Sequence, residues 1–180
     1  MTLFSFKQHK FQYDGFQYYV PRKAIMDTEH FLLDFPFMHS PEERIVFWAG
    51  TREADKSTIR LVIVPNAKTN SGSVVVSQEA NFHFVKILSA RALVQIAQIH
   101  THPTSWVGHS PGDSEYAAFK VKGLLSIVVP SYCIEGMLPL EKCGVHRFDG
   151  KKFMRLPIVY ISAHFHILND EESELKDLRR

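Results

Sequence analysis

The chain has 180 residues, of which 45% are hydrophobic and 22% charged, and 21 Lys and Arg against 19 Asp and Glu give a formal net charge of +2. This composition excludes disordered and fibrous classes, and the basic residues are scattered rather than clustered as in a nucleic-acid footprint. Apolar runs such as Leu61–Val64 and Leu124–Val129 fall far short of the roughly 18 residues of a membrane span, and no basic-then-apolar leader opens the chain, so a soluble, cytoplasmic, single-domain protein is expected.

In chain order, the aromatic stretch FKQHKFQYDGFQYYV predicts an N-terminal hairpin within residues 1–20, turned at Asp14-Gly15. Pro21 opens a helical pattern over 22–34 that Pro36 stops. Ile45–Ala49 and Thr58–Val64 read as an antiparallel strand pair, with a short third strand at Val74–Val76. Ser77 and Glu79 open a second helix with a broad apolar face. Val94–Ile99 is a strand that delivers His100 at its end, Ser114–Val121 a short helix, and Leu124–Val129 a buried strand.

A hairpin over Gly144–Phe148 and Lys152–Leu156 is turned by Asp149-Gly150, Ile158–Leu168 is taken as a last strand, and 169–180 as a charged helix or frayed tail. Cys133 and Cys143 lack a CxxC pattern and are expected as reduced thiols. Core residues 21–168 thus mix strands and helices with short turns, which predicts an α/β sandwich whose mixed sheet is flanked by helices.

Chemistry concentrates in HTHPTSWVGHSPGD, His100 to Asp113. Alternate strand residues share a face, so His100 and His102 can aim at one point while Thr101 faces away. Pro103 ends the strand, and Ser110-Pro111-Gly112 leads into a helix whose first turn carries Asp113. Two imidazoles and a carboxylate suit zinc with one position left open, the arrangement of a catalytic site. The plain alternative is a solvated, histidine-rich loop.

HTHP followed by Ser110 and Asp113 at these spacings resembles the JAMM motif of the JAB/MPN metalloproteases, the group that contains zinc-dependent deubiquitinases. Glu43, seven residues before Gly50 in ERIVFWAG, stands where that motif places its upstream glutamate, and the order of elements over 20–160 resembles the MPN core. The resemblance implies one Zn2+ held by His100, His102 and Asp113. It also implies Glu43 as the base that takes a proton from the attacking water and returns it to the leaving amine, and Ser110 as the donor to the developing oxyanion. Many members read E-x-C-G-x-L-x-G, whereas bulky Ile45, Val46, Phe47 and Trp48 follow the glutamate here. That difference changes strand packing and leaves the carboxylate. Alternation allows only one of Glu42 and Glu43 to face the metal, and the spacing selects Glu43.

The chain also looks like the small bacterial JAB proteins of ubiquitin-like conjugation systems, antiphage systems among them. That resemblance implies an isopeptidase or peptidase that cuts after the C-terminus of a ubiquitin-like modifier, with the modifier and its conjugates as partners and neither nucleic acid nor membrane involved; oligomeric state stays open. Trp106, Ile134 and Met137 are candidate substrate contacts, the last two in the 131–142 segment where larger members carry an insertion. A peptidase acting on a sulfur-carrier protein and a non-catalytic MPN scaffold are the alternatives. His109 fits no ligand position, and His164 and His166 form a second HxH expected on the exposed face of a late strand.

Overall fold

The computed structural model describes residues 14–34, 40–115 and 119–179. Its strands are β1 (Gln17–Pro21), β2 (Ile45–Arg52), β3 (Lys56–Val64), β4 (Ala67–Asn70), β5 (Ser73–Val76), β6 (Val94–Thr101), β7 (Leu125–Val129), β8 (Gly144–Phe148), β9 (Phe153–Arg155), β10 (Phe165–Leu168) and β11 (Glu174–Asp177). The helices are α1 (Arg22–Leu32), α2 (Gln78–Ala90), α3 (Pro111–Glu115) and α4 (Ile158–His164). The main sheet runs β10-β1-β3-β2-β6-β7-β8-β9, with β11 also on β3, and mixes parallel and antiparallel pairs. This is the expected mixed α/β architecture.

The central strands are apolar on both faces because both faces are covered. In β2, Val46 and Trp48 join α1 residues Ala24, Ile25 and Leu32 in the larger core, while Phe47 and Ala49 pack with Phe84, Ile87 and Leu88 of α2. Trp48 Nε1 donates to Thr28 Oγ1 at 2.8 Å, which satisfies the one polar atom of a fully buried indole. Gly50 sits at a register shift between β2 and β3, where a Cβ would lie 1.9 Å from the Thr58 carbonyl oxygen. The glycine seven residues after Glu43 is therefore required by backbone approach.

Several expectations need correction. The segment 158–168 is not one strand: α4 comes first, then β10. Pro157 presets the first turn, and Tyr160 and His164 stack at 4.0 Å, a helical contact, since residues four apart in a strand lie about 13 Å from each other. The tail is neither helix nor frayed, since Glu174–Asp177 pairs parallel with Leu61–Val64 and the Glu174 carboxylate bonds Arg91. Residues 74–76 do not join β2 and β3 but form a separate hairpin with β4.

The helix expected at 114–121 begins earlier, at Pro111, because Ser110 caps it, and 116–118 lie outside the described residues. The first arm of the N-terminal hairpin also lies outside them, and both edges of β1 are taken by β3 and β10. Cys133 and Cys143 are buried and unbridged. Among the described residues, no helix is long and apolar enough to cross a membrane.

Candidate metal centre

Strand β6 runs between β2 and β7 and ends where the site begins. His100 and His102 are both buried, and the Thr101 between them faces the other way. Its Oγ1 accepts the Arg44 N–H at 2.9 Å, and its own N–H donates to the Arg44 carbonyl at 3.0 Å. The middle residue of HTH thus clamps the entry of β2 and holds the neighbouring Glu43 beside the histidines.

Beyond β6, His102 N–H donates to the Val129 carbonyl at 2.9 Å, which carries the strand direction past Pro103. The loop then crosses β8, where a Cβ on Gly144 would come within 1.9 Å of the Val107 carbonyl oxygen. Only glycine permits that crossing. It returns the chain to Ser110, whose Oγ accepts the Asp113 N–H at 3.0 Å while an Asp113 carboxylate oxygen accepts the Ser110 N–H at 2.6 Å. The S-x-x-D spacing is therefore a reciprocal capping box that fixes the carboxylate at the start of α3.

His100 Nε2 lies 3.3 Å from one Asp113 oxygen and His102 Nε2 lies 3.4 Å from the other, and one ligand atom from each residue falls within 4.8 Å of the rest. Zinc bound tetrahedrally at its usual nitrogen and oxygen distances separates neighbouring ligand atoms by about 3.3–3.4 Å. His102 Nδ1 lies 3.0 Å from the Trp106 carbonyl, which can only accept, so Nδ1 donates there and Nε2 is the nitrogen left facing Asp113, with a lone pair for a metal when the ring is neutral. Among the described residues, His100 Nε2 is buried without a hydrogen-bond partner. An orphaned imidazole nitrogen beside a carboxylate and a second imidazole fits a divalent cation.

Charges are arranged accordingly. Burial disfavours the Asp113 carboxylate, but the contacts with His100 and His102 and the Ser110 N–H outweigh it and hold the group well below the usual carboxylate range. Burial also works against His102 as a cation, yet Asp113 and the Trp106 carbonyl raise its pKa above the ordinary value. Glu43 is pushed up to about 7 by burial, with His102 opposing the rise and Asp113 adding to it. Glu42 is engaged elsewhere, accepting the Thr69 hydroxyl of β4. The two adjacent glutamates thus have different surroundings, Glu43 buried and Glu42 bonded to the hairpin.

Around this centre, Trp106 is 54% exposed and stacks on His102 at 5.1 Å, so it presents an indole face beside the ligands. Ile134 is 67% exposed, whereas Met137 is 0% exposed and packs in the larger core, so the expectation that Met137 contacts substrate is corrected. His109 is wedged against Phe153 at 4.4 Å and bonds Ser126 Oγ at 3.1 Å, with burial lowering its pKa to about 4. It is a packed wall of the site rather than a loop ornament.

Sequence reasoning missed Tyr132, whose N–H donates to the His102 carbonyl at 2.8 Å from a turn with positive φ at Ser131, Tyr132 and Cys133. No residue type in SYC signals such a turn. His164 and His166 are also half-buried rather than exposed, bonding the Tyr160 carbonyl and Gln17.

No family model matches the chain. It is 31% identical over 113 residues to the probable metalloprotease y4jG of Sinorhizobium fredii, covering 61% of this chain and 68% of that one. It is 29% identical over 110 residues to the probable TtuB-protein conjugate cleaving protease of Thermus thermophilus, covering 61% and 69%. Among solved structures, protein DSY2949 of Desulfitobacterium hafniense superposes with a TM-score of 0.58 at 16% identity, covering 87% of this chain and 95% of that one, a likeness of fold.

Proposed function

Since the chain belongs to the JAB/MPN-like metalloprotease family, we propose that it is a zinc-dependent peptidase that hydrolyses the amide bond after the C-terminus of a ubiquitin-like modifier. The observation that carries this reading is the convergence of His100, His102 and Asp113 around a buried, unbonded imidazole nitrogen. Those three side chains would hold the ion. A bound zinc supplies a Lewis acid that makes water nucleophilic near neutral pH.

Glu43 takes the proton from the attacking water. With its carboxyl raised to about 7, it is matched both to that transfer and to delivering the proton to the leaving amine. A bound cation would lower this value, which strengthens the carboxylate as the resting form. Ser110 Oγ accepts the Asp113 N–H, and its own hydroxyl proton is directed to the oxygen on which charge builds. Trp106 and Ile134 offer exposed apolar surface to the modifier's extended tail.

The name of the Thermus thermophilus relative, a protease for TtuB-protein conjugates, favours cleavage between a protein tag and its target over precursor processing. A peptidase acting on a sulfur-carrier protein would use the same residues and differ only in substrate. The test is cleavage of a ubiquitin-like protein carrying a C-terminal extension, by wild type and Glu43→Ala, with and without chelator. Turnover by wild type alone, lost in chelator, supports the proposal. Zinc bound at full stoichiometry with no extended modifier cut removes it and leaves the sulfur-carrier peptidase or a non-catalytic scaffold.

A further inference from the structure

Two routes hold Glu43. One is the sheet, through Arg44 and Thr101. The other leaves the sheet: Glu43 N–H donates to the Asn70 carbonyl at 2.8 Å, at the tip of the β4–β5 hairpin, and Glu42 is bonded to Thr69 of the same hairpin. Among the described residues that hairpin pairs only with itself, because β4 and β5 form a two-stranded sheet apart from the main one. Two strands without further pairing are marginally stable on their own. Val76 packs the base of the hairpin against the smaller core, so it is the placement of the tip that depends on what pins it.

The tip is tight: the Asn70 side chain accepts the Gly72 N–H at 2.9 Å and donates to Ser73 Oγ at 2.6 Å. Between them, the Ser71 carbonyl accepts the Tyr132 hydroxyl at 2.8 Å. Tyr132 is the same residue whose N–H holds the His102 carbonyl. Its ring is aimed at the hairpin from a turn in which three successive non-glycine residues have φ between 50° and 68°, a conformation that surrounding contacts must impose. Tyr132 closes a circuit from Glu43 through Asn70, Ser71 and Tyr132 to His102.

We infer that Tyr132 is a positioning residue: by tying the hairpin tip to the strand end that carries His102, it sets Glu43 in register with the metal ligands. The inference rests on the proposed peptidase reading for its catalytic consequence, but the tie itself is a property of the resting protein. Tyr132→Phe deletes the hydroxyl, keeps the ring and the turn, and leaves the Arg44–Thr101 route intact. The metal ligands are untouched.

The experiment compares wild type and Tyr132→Phe in three measurements. Amide exchange at Glu43 and Gly72 should speed up about five- to tenfold, as expected when one hydrogen bond holding a local opening is removed. Zinc affinity should stay within about twofold, because His100, His102 and Asp113 keep their partners. On an extended modifier, kcat should fall about tenfold with KM within twofold, since a slightly misplaced base affects the transition state more than binding.

Unchanged exchange at Glu43 overturns the tie. Faster exchange with unchanged kcat makes Tyr132 structural only. Lost zinc affinity places its effect on His102 instead of the hairpin, which also overturns the inference. If wild type cuts no modifier, the peptidase reading fails on its own, and the exchange data still decide whether the tie exists.

Discussion

The molecule carries the pattern His-x-His twice, at His100–His102 and His164–His166, and the two fare differently. In the first, both imidazoles come from the end of one strand, and a capped carboxylate meets them at 3.3 and 3.4 Å. In the second, His164 is the last residue of α4 and His166 lies in β10, so the pair straddles a helix–strand junction. His164 stacks on Tyr160 and bonds its carbonyl, while His166 stacks on Tyr19 at 4.9 Å and bonds Gln17. Identical spacing brings two imidazoles and a carboxylate together only where the backbone is extended and the carboxylate is delivered to the same point.

The sharpest break of that comparison is His102→Ala or Asp113→Ala, which should abolish zinc binding and activity together. His164→Ala and His166→Ala should leave metal content at one ion per chain, as read by elemental analysis of purified protein. Retained zinc in the first pair would place the metal elsewhere.

Next in size is Glu43→Gln, expected to keep zinc while lowering kcat about 10²- to 10⁴-fold; Glu42→Gln should stay within about twofold in the same assay. The neighbours differ because one is buried beside the ligands and the other is bonded to the hairpin.

Glu43 also has a stability signature in metal-free protein. Its pKa rises from 4.5 to about 7 on folding, so the folded state bears no penalty below pH 4.5. The unfolded chain then releases its proton first, and the full penalty, up to about 3 kcal/mol, is present above pH 7. Urea midpoints should therefore show Glu43→Gln gaining on wild type as pH rises from 4.5 to 8, with the gap shrinking when zinc is added. A gap that does not change with pH would mean the carboxyl titrates normally.

Ser110→Ala removes one half of the capping box and should cost about 1 kcal/mol of stability as well as about 10²-fold in kcat. The smallest effect belongs to the second pair: His166→Ala loses a hydrogen bond and a ring stack, about 1 kcal/mol in a urea titration, with no change in turnover.

The site was legible in the sequence because its ligands are local. His100 and His102 are separated by one strand residue, and the Ser110–Asp113 spacing is that of a capping box, so short-range geometry forms each pair, and the loop crossing at Gly144 brings the two pairs together. Glu43 was legible only through the resemblance, since nothing local links it to a strand 50 residues later. The second histidine pair was misread because an apolar run of strand length, Ile158–Leu168, has no periodicity clear enough to separate a helical turn from a strand. The tail was misread because β11 is held by backbone pairing to the open edge of β3 and by Arg91–Glu174, and a charged sequence carries no sign of such an edge.

By itself, then, the sequence determined the mixed α/β composition, the central strands and the residues of the His100–His102–Asp113 cluster, all set by periodicity and spacing. Only the tertiary structure decided that Glu42 is bonded to the hairpin while Glu43 is buried, that Met137 is core and Trp106 surface, that the second HxH is broken by a helix end, and that Tyr132 joins the hairpin to the His102 strand. Each of these depends on contacts between residues far apart in the chain, where the neighbour across the sheet, and not the neighbour in sequence, sets the environment.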